Sequence, residues 1–223
     1  MTPLYKWQEE CLGTWKNCGY RGIAEVTTGA GKTLMAVRGS LMLDEEMNNN
    51  LSVYVVVPKV ALKKQWKEAL AKNKVKDIET WSRVRRKKGK YTILTINTAR
   101  DVLPLLVEKD FMEKRHVLLI LDEVHHYGSP ANSHIFDFMD SSHFCSPLYH
   151  SLGLSATTKV RTLKGVLIPR VGDVFFRYSL SDALSDGIVN DFLVFNVAVH
   201  FIEEERLIYD VLSRDILISF GKV

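Results

Sequence analysis

The stretch Thr28-Gly29-Ala30-Gly31-Lys32-Thr33 lies between a short apolar run, Ile23–Val26, and a helix-compatible run that begins at Leu34. This order of strand, glycine-containing loop and helix suits the binding of a phosphate group, because main-chain N–H groups and the positive end of the helix surround the anion. In such a loop Lys32 reaches the terminal phosphates, and the hydroxyl of Thr33 ligates Mg²⁺. The chain is therefore predicted to bind a nucleoside triphosphate through Thr28, Gly29, Ala30, Gly31, Lys32 and Thr33.

One position departs from the full phosphate-loop pattern G-x-x-x-x-G-K-S/T. That pattern has glycine at the position where this chain has Val26. A Gly-Lys-Thr triplet alone is also compatible with an ordinary turn before a helix. The flanking strand and helix patterns favour the phosphate-binding interpretation.

The composition is that of a globular protein with one large domain, or with one domain and an appendage. Of the 223 residues, 46% are hydrophobic and 25% are charged, and the formal net charge is +4. No apolar run approaches the roughly 18 residues of a membrane span, and residues 1–10 lack the apolar core of an export signal. We therefore expect an intracellular protein, cytoplasmic or nucleoid-associated, without a membrane partner.

The cysteines and histidines match no metal-binding pattern. Cys11, Cys18 and Cys145 form no C-x-x-C pair, and sparse thiols suit a reducing compartment. Several histidines lie between residues 125 and 150, but their spacing matches no zinc motif. The sequence thus favours magnesium at the phosphate loop over zinc elsewhere.

Apolar, β-branched runs alternate with helix-compatible runs along the chain, which is typical of βαβ units and a parallel sheet. The predicted strands are Gly22–Thr27, Leu51–Val57, Lys76–Glu79, Tyr91–Ile96, His116–Leu121, His150–Leu154, Asp173–Tyr178 and Phe192–Val199. The predicted helices are Pro3–Asn17, Lys32–Met47, Val60–Lys72, Asn132–Met139, Leu180–Ser185 and Glu203–Ser219. The predicted fold class is α/β, with a parallel sheet flanked by helices.

A second chemical feature is the apolar run His116–Leu121, which is followed directly by Asp122 and Glu123. A buried strand that ends in two acids places both carboxylates at the C-terminal edge of the sheet, where a phosphate loop also opens. Asp122 is predicted to hold Mg²⁺, directly or through water, and Glu123 to polarise the attacking water. A solvated strand end is the plain alternative. It is disfavoured because the two acids complete the site that Lys32 and Thr33 begin.

Four segments, in this order, resemble the motifs of superfamily-two helicases and translocases, and the resemblance covers nearly the whole chain. Residues 28–33 resemble motif I, which in that family commonly lacks the first glycine. Pro-Lys-Val-Ala-Leu-Lys-Lys-Gln-Trp at 58–66 resembles motif Ia, Asp-Glu-Val-His at 122–125 resembles motif II, and Ser-Ala-Thr at 155–157 resembles motif III. The resemblance implies a RecA-like P-loop NTPase domain that uses ATP and Mg²⁺. Residues 178–189 are similar to the segment after motif III in the branch with type III restriction subunits, XPB repair helicases and phage UvsW-like helicases.

The resemblance also implies roles for residues around the nucleotide. Gln8 matches the Q-motif glutamine that reads the adenine edge, whereas Tyr5 stands where the subgroup usually has arginine and is predicted to stack on adenine. The side chains expected to couple the γ-phosphate to nucleic-acid binding are those of His125, Ser155 and Thr157. Trp66 is interpreted as a core anchor rather than a base-stacking residue.

Nucleic-acid contacts are expected at Lys59 in motif Ia and at Thr98 in a region that resembles motif Ib. Six cations also crowd residues 83–90, and this basic run includes Arg85, Arg86, Lys87 and Lys88. Such a run favours a polyanion partner, and a solvated turn or helix end fits it equally well. Contacts from these motifs go mainly to phosphates, which predicts sequence-tolerant and salt-sensitive binding. DNA is the expected partner, with RNA left open.

These features predict two parts, a RecA-like ATP-binding lobe at residues 1–178 and, at residues 179–223, a segment after motif III with a linker helix toward a second lobe. Motifs IV to VI, with the arginine finger of that second lobe, have no counterpart before Val223. We expect the second RecA-like lobe to be supplied in cis or in trans. The first lobe alone is expected to bind nucleotide weakly and to hydrolyse ATP slowly or not at all. The competing hypothesis is a free-standing, non-catalytic nucleotide- or DNA-binding module that regulates a partner. An unrelated P-loop kinase is disfavoured because it leaves motifs Ia and III unexplained.

Overall fold

The structure, a computed structural model, describes residues 3–82, 84, 86–157, 163–190, 197 and 200–220. The chain divides into one compact unit of residues Met1–Asn190 and a second unit of residues Asp191–Val223. The strands of the first unit are β1 (Arg21–Val26), β2 (Leu51–Val57), β3 (Ile78–Thr80), β4 (Tyr91–Thr95), β5 (His116–Asp122), β6 (Tyr149–Ser155) and β7 (Val174–Tyr178). Its α-helices are α1 (Lys6–Asn17), α2 (Lys32–Glu46), α3 (Val60–Lys72), α4 (Ile96–Met112), α5 (Pro130–Ser133), α6 (Ile168–Val171) and α7 (Leu180–Ser185).

The second unit is described as one helix, α8 (Glu203–Phe220). Three acids in its first turn, Glu203, Glu204 and Glu205, suit the positive end of the helix dipole. The strand predicted at residues 192–199 lies outside the described residues, apart from residue 197. None of the described helices is both long enough and apolar enough to cross a membrane.

The seven strands form one sheet in the order β3-β4-β2-β5-β6-β1-β7. Every neighbouring pair is parallel. All seven residues of β2 are buried, as expected for a central strand that helices cover on both faces. The predicted fold class, an α/β domain with a parallel sheet flanked by helices, is therefore confirmed.

Two apolar cores lie on the two faces of the sheet. On one face Val53 and Val55 of β2 pack with side chains of α1, α2 and α3, and on the other Tyr54 and Val56 pack with side chains of α4 and the 3₁₀ helix His134–Asp140. This division follows the two-residue period of a strand, in which successive side chains point to opposite faces. Helices α1, α2 and α3 thus lie on the same face of the sheet.

The sequence patterns missed α4, which has 17 residues and begins at Ile96, the residue predicted to end a strand. Pro104 lies inside this helix and removes one main-chain donor, which is why the segment does not look helical in sequence. The helix is held by a stripe of buried residues at four-residue spacing, namely Ala99, Leu103, Val107 and Phe111. That stripe is the signal that would have found it.

The helix predicted at Asn132–Met139 is wrong in type. The structure has a short α-helix at Pro130–Ser133 and then a 3₁₀ helix at His134–Asp140. Side chains at the junction bond to main-chain carbonyls, because Asn132 Nδ2 donates to His126 O at 2.8 Å and Ser133 Oγ donates to Pro130 O at 2.8 Å. Such local bonds compete with a continuous α-helix.

Candidate nucleotide-binding site

The candidate site lies at the C-terminal edge of the sheet, where β1 and β5 end on either side of β6. The loop after β1 leads into α2, and β5 ends at Asp122. These two ends line one cavity of about 540 Å³, together with α3. The predicted nucleotide residues that line it are Thr28, Gly29, Gly31, Lys32, Thr33, Asp122 and Glu123. Ala30, also predicted there, is buried and does not line this cavity.

The loop depends on glycine at the residue that caps α2. Gly31 has φ +99°, and Gly29 has φ +81°, both in the region that favours glycine. A Cβ atom on Gly31 would lie 2.8 Å from Nε2 of Gln8. Gly31 therefore lets the loop turn into α2 with its main-chain N–H groups at the helix N-terminus, which is the arrangement that holds an anion.

Lys32 is the cation inside this loop. Its Nζ donates to the main-chain oxygens of Val26 at 2.9 Å and Thr27 at 3.2 Å. Burial lowers the pKa of Lys32, and the carboxylates of Glu123 and Asp122 oppose that shift. The ammonium is thus held between the loop and the two acids, where a negatively charged phosphate would meet it.

The two acids differ in environment. Asp122 Oδ2 accepts a hydrogen bond from Nε1 of Trp66 at 2.9 Å. Burial raises the pKa of Asp122, and the bond from Trp66 opposes the rise. Glu123 has φ +51°, a conformation that is uncommon outside glycine and that recurs at functional sites.

The donor set of the cavity fits a magnesium ion. Mg²⁺ prefers oxygen ligands and is usually held by one or two carboxylates together with substrate phosphates. Thr33 contributes a hydroxyl and Asp122 a carboxylate, and both line the same cavity as Lys32. Thr33 and Asp122 are therefore the residues that would hold the metal.

The three residues expected to couple nucleotide to nucleic acid form a hydrogen-bonded chain. His125 Nδ1 lies 2.9 Å from Ser155 Oγ, and Ser155 Oγ donates to the main-chain oxygen of Thr157 at 2.6 Å. Because the single hydroxyl proton of Ser155 is used toward Thr157, His125 Nδ1 must be the donor to Ser155. His125 Nδ1 also lies 3.6 Å from Glu123 Oε2. The hydrogen bonds thus run from His125 to the end of β6, and Glu123 lies next to His125 without a hydrogen bond to it.

Gln8 and Tyr5 lie beside the loop but do not line the 540 Å³ cavity. Gln8 is fully buried, its Oε1 accepts from the Tyr5 main-chain N–H at 2.9 Å, and its Nε2 donates to Gly31 O at 3.0 Å. Tyr5 is half exposed. Gln8 therefore ties the N-terminal segment to the phosphate loop, and adenine contacts by either residue stay predictions.

Sequence reasoning missed the contribution of α3 to the cavity. One wall consists of side chains from this helix and the residue after it, namely Leu62, Gln65, Glu68, Ala69, Lys72 and Asn73. Trp66, interpreted from the sequence as a core anchor, is buried and also bonds to Asp122. The Gln-Trp pair of motif Ia was the available signal.

The residues predicted to contact nucleic acid are divided between two places. Lys59 is exposed at the start of α3. Thr98 and Arg86 line a second cavity of about 610 Å³, together with Arg100 and Trp81. Arg85 lies outside the described residues.

The lysines of the basic run pair with acids of the same domain. Lys87 Nζ lies 3.0 Å from Glu79, Lys90 Nζ lies 2.7 Å from Asp44, and Lys88 pairs with Asp110. The Asp110 side chain is fully buried and also accepts from the hydroxyl of Tyr54 at 2.6 Å. These ion pairs attach the run to β3, α2 and α4. For the lysines of the run, the interpretation without a polyanion partner is therefore the better one.

Replacing Lys88 with methionine should destabilise the domain by about 3 kcal/mol, because a buried carboxylate that loses its cation is left uncompensated. The free energy of unfolding from urea denaturation measures the effect. Lys109→Met is the control, because Lys109 pairs with Glu113 at 3.9 Å on the surface and should cost less than about 0.5 kcal/mol. Unchanged stability with weakened DNA binding in Lys88→Met would instead assign Lys88 to nucleic acid.

The chain is similar to known proteins in sequence family and in fold. A family model described as "Type III restriction enzyme, res subunit" matches residues 1–160. The fold is similar to that of a nuclease-deletion mutant of the Type ISP restriction-modification enzyme LlaGI in complex with a DNA substrate mimic, with a TM-score of 0.60 and 16% identity over 84% of this chain and 21% of that chain. It is also similar to the Sulfolobus solfataricus SWI2/SNF2 ATPase core in complex with dsDNA, with a TM-score of 0.58 and 16% identity over 77% of this chain and 36% of that chain.

The chain thus spans about a fifth of the length of the first of these proteins and about a third of the second. At 16% identity the two likenesses concern the fold alone. No curated protein matches the chain in sequence.

Proposed function

The chain belongs to the family of type III restriction enzyme res subunits, and from this premise we propose that residues 1–178 are the N-terminal, RecA-like ATP-binding lobe of a DNA helicase or translocase. Completed by a second lobe, it couples ATP hydrolysis to the remodelling of nucleic acid. The observation that carries the proposal is the convergence of Lys32, Thr33, Asp122 and Glu123 on one cavity. Lys32 and Thr33 begin α2, whereas Asp122 ends β5 and Glu123 follows it. In the proposal each of the four has a role in the hydrolysis of a nucleoside triphosphate.

The phosphate loop binds and orients the substrate. Main-chain N–H groups at the start of α2 surround the phosphates, and Lys32 moves its hydrogen bonds from the oxygens of Val26 and Thr27 to the terminal phosphates. Thr33 and Asp122 would hold Mg²⁺. When bound, the metal offsets the negative charge of the phosphate oxygens.

Glu123 acts on the attacking water. Its carboxylate accepts a hydrogen bond from that water and takes up one of its protons as the bond from the water oxygen to the γ-phosphorus forms. The bond from the γ-phosphorus to the bridging oxygen breaks, and ADP leaves with that oxygen. The main-chain conformation of Glu123, with φ +51°, sets the direction in which its side chain leaves the end of β5. The hydrogen-bonded residues His125, Ser155 and Thr157 connect this position with the end of β6.

A second lobe completes the site in this proposal, in cis or in trans. Residues 1–178 provide the first lobe, and residues 179–223 lead toward the second. In related phosphoryl-transfer enzymes an arginine finger contributes on the order of 10³–10⁵ in rate, which explains why the present lobe is expected to turn over slowly by itself. With DNA as its partner, the protein is proposed to act inside the cell.

The proposal is tested by measuring Mg-ATP binding and ATP hydrolysis on the chain alone, with DNA, and with DNA and any second-lobe partner. We expect binding in all three mixtures, with hydrolysis strongest in the third. Binding without detectable hydrolysis in any mixture would favour the alternative, a non-catalytic module that regulates a partner. Absence of Mg-ATP binding would reject the proposal and leave only the form of the alternative that binds DNA without nucleotide.

The nucleic-acid surface is assigned to Lys59, Thr98 and Arg86, since the lysines at 87 and 88 pair internally. Replacing Arg86 with glutamine should weaken DNA binding about tenfold at low salt, because a phosphate contact is lost. The slope of log affinity against log salt should become shallower by about one. Fluorescence anisotropy with a labelled duplex measures both quantities.

Lys87→Gln is the matched control for Arg86→Gln, because it removes one charge from the same run at a residue paired with Glu79. We expect it to change the salt slope much less than Arg86→Gln does. Equal losses in the two variants would mean that only the net charge of the run matters.

A further inference from the structure

Trp66 connects the buried core of the domain to the acid that ends β5. Its side chain is 1% exposed, and Nε1 donates to Oδ2 of Asp122 across 2.9 Å. The two residues are 56 positions apart in the chain, so the bond joins α3 to β5 through tertiary packing. One of the two oxygens of Asp122 is therefore held by a donor that lies outside the phosphate loop.

The other tryptophans on this face show that burial of the ring does not require such a bond. Trp15 is also fully buried and donates from Nε1 to the main-chain oxygen of Ser151 at 3.0 Å. Nε1 of Trp7 is buried and has no hydrogen-bond partner among the described residues. The carboxylate partner of Trp66 is thus a property of its position beside the cavity.

An indole N–H suits a carboxylate that must bind a cation. Because the indole N–H carries no charge, it fixes the orientation of the carboxylate and leaves its negative charge available to a cation. A lysine or arginine in the same place would neutralise that charge. The main-chain N–H of Glu123 also donates to the Asp122 carboxylate, so two uncharged donors orient this group. Asp122 lines the same cavity as Thr33, and a carboxylate has about four lone-pair sites, so it can still bind a cation there.

We infer that Trp66 is a positioning residue, which orients Asp122 for the divalent cation of the nucleotide site. The inference rests on the proposed function, in which Asp122 and Thr33 hold Mg²⁺. Residues that hydrogen-bond to metal ligands commonly change metal affinity by 10- to 100-fold when they are replaced. Trp66 therefore joins the site through its hydrogen bond as well as through the packing of its ring.

Trp66→Phe removes the N–H and keeps an aromatic ring. In a titration of Mg²⁺ against the chain with a fluorescent ATP analogue, we expect the half-saturating Mg²⁺ concentration to rise about tenfold. Affinity for the analogue in EDTA should remain that of wild type, because the loop and Lys32 are untouched. Trp15→Phe is the matched control, since it removes an equal volume and a buried indole bond away from the cavity. It should lower the melting temperature to a similar degree and leave the Mg²⁺ titration unchanged.

A second measurement needs no change at Trp66. With ¹⁵N-labelled indole groups in the wild-type chain, the Trp66 N–H resonance should shift when Mg²⁺ is added to the nucleotide complex, and the Trp15 resonance should not. The inference would be overturned, while the proposed function stands, by either of two results. One is the same half-saturating Mg²⁺ concentration for wild type and Trp66→Phe, and the other is a Trp66 N–H resonance that does not shift when Mg²⁺ is added. Nucleotide binding by wild type that does not respond to Mg²⁺ would overturn both.

Discussion

Replacing Lys32 with alanine should abolish the binding of Mg-ATP, with a dissociation constant at least about 100-fold above that of wild type. Hydrogen bonds to charged groups contribute about 1.5–3 kcal/mol each, and two such bonds to phosphate oxygens account for this loss. The position of the ammonium supports the expectation. Lys32 Nζ is within hydrogen-bond distance of two loop carbonyls and close to both acids of the site. Isothermal titration calorimetry with Mg-ATP measures the effect.

The matched control for Lys32→Ala is Lys63→Ala. Lys63 Nζ also donates to a main-chain oxygen, that of Trp81, but Lys63 does not line the nucleotide cavity. Its loss should leave Mg-ATP affinity within about twofold of wild type, because no bond to phosphate is removed. Wild-type affinity in Lys32→Ala would show that the phosphate-loop assignment is wrong.

The secondary structure of the domain was predictable where a local sequence pattern alone determines whether a segment forms a strand or a helix. The continuous apolar run of β2 indicated a strand covered on both faces, and all seven of its residues are buried. Val26, which breaks the general phosphate-loop pattern, is a buried core residue whose main-chain oxygen accepts from Lys32. At this position the side chain packs in the core and the main-chain oxygen contacts the loop. A glycine is therefore not needed.

Elements that tertiary packing decides were harder to predict. In α4 the local signal of Pro104 opposes helix formation, and the buried stripe from Ala99 to Phe111 outweighs it. Apolar burial along four turns stabilises the helix by more than the one main-chain bond that proline removes. The sequence patterns therefore predicted no helix between residues 96 and 112, where α4 covers part of the second face.

The basic run shows the same limit for charges. The six cations in residues 83–90 were equally compatible with a surface that binds a polyanion and with a solvated turn. The partners that decide the matter for the lysines are Asp44, Glu79 and Asp110, which lie on three separate elements. Only the folded chain brings these acids to the run. The bond from Trp66 to Asp122 is of the same kind, since its two residues are 56 positions apart.

The candidate site itself was more accessible to sequence reasoning because parallel strands share one edge. Once β1 and β5 were assigned to one parallel sheet, the residues after them had to meet at its C-terminal edge. What the sequence did not contain was the wall that α3 adds, with Gln65 and Glu68 facing the same cavity as Lys32. That wall follows from the packing of α2 against α3, which depends on side-chain fit.

Replacing Glu123 with glutamine should preserve Mg-ATP binding and reduce ATP hydrolysis by about 10²–10⁴-fold. Glutamine keeps the size of the side chain and its capacity for hydrogen bonds, but it does not accept a proton from water, and general-base catalysis is worth that range of rate. Glu123 lines the cavity with Lys32 and Asp122 and lies 3.6 Å from His125 Nδ1. Calorimetry with Mg-ATP measures the binding. Phosphate release, in the mixture where wild type turns over fastest, measures the hydrolysis.

Glu68→Gln is the control that separates a general base from a negative charge in the cavity. Glu68 lines the same cavity from α3, so its replacement removes one charge there without removing a group placed after β5. We expect Glu68→Gln to change the hydrolysis rate by less than about threefold, because no proton transfer is assigned to it. A Glu123→Gln variant that hydrolyses ATP at the wild-type rate would remove Glu123 from the mechanism. Equal losses in both variants would mean that the charge of the cavity, and not proton transfer, limits the reaction.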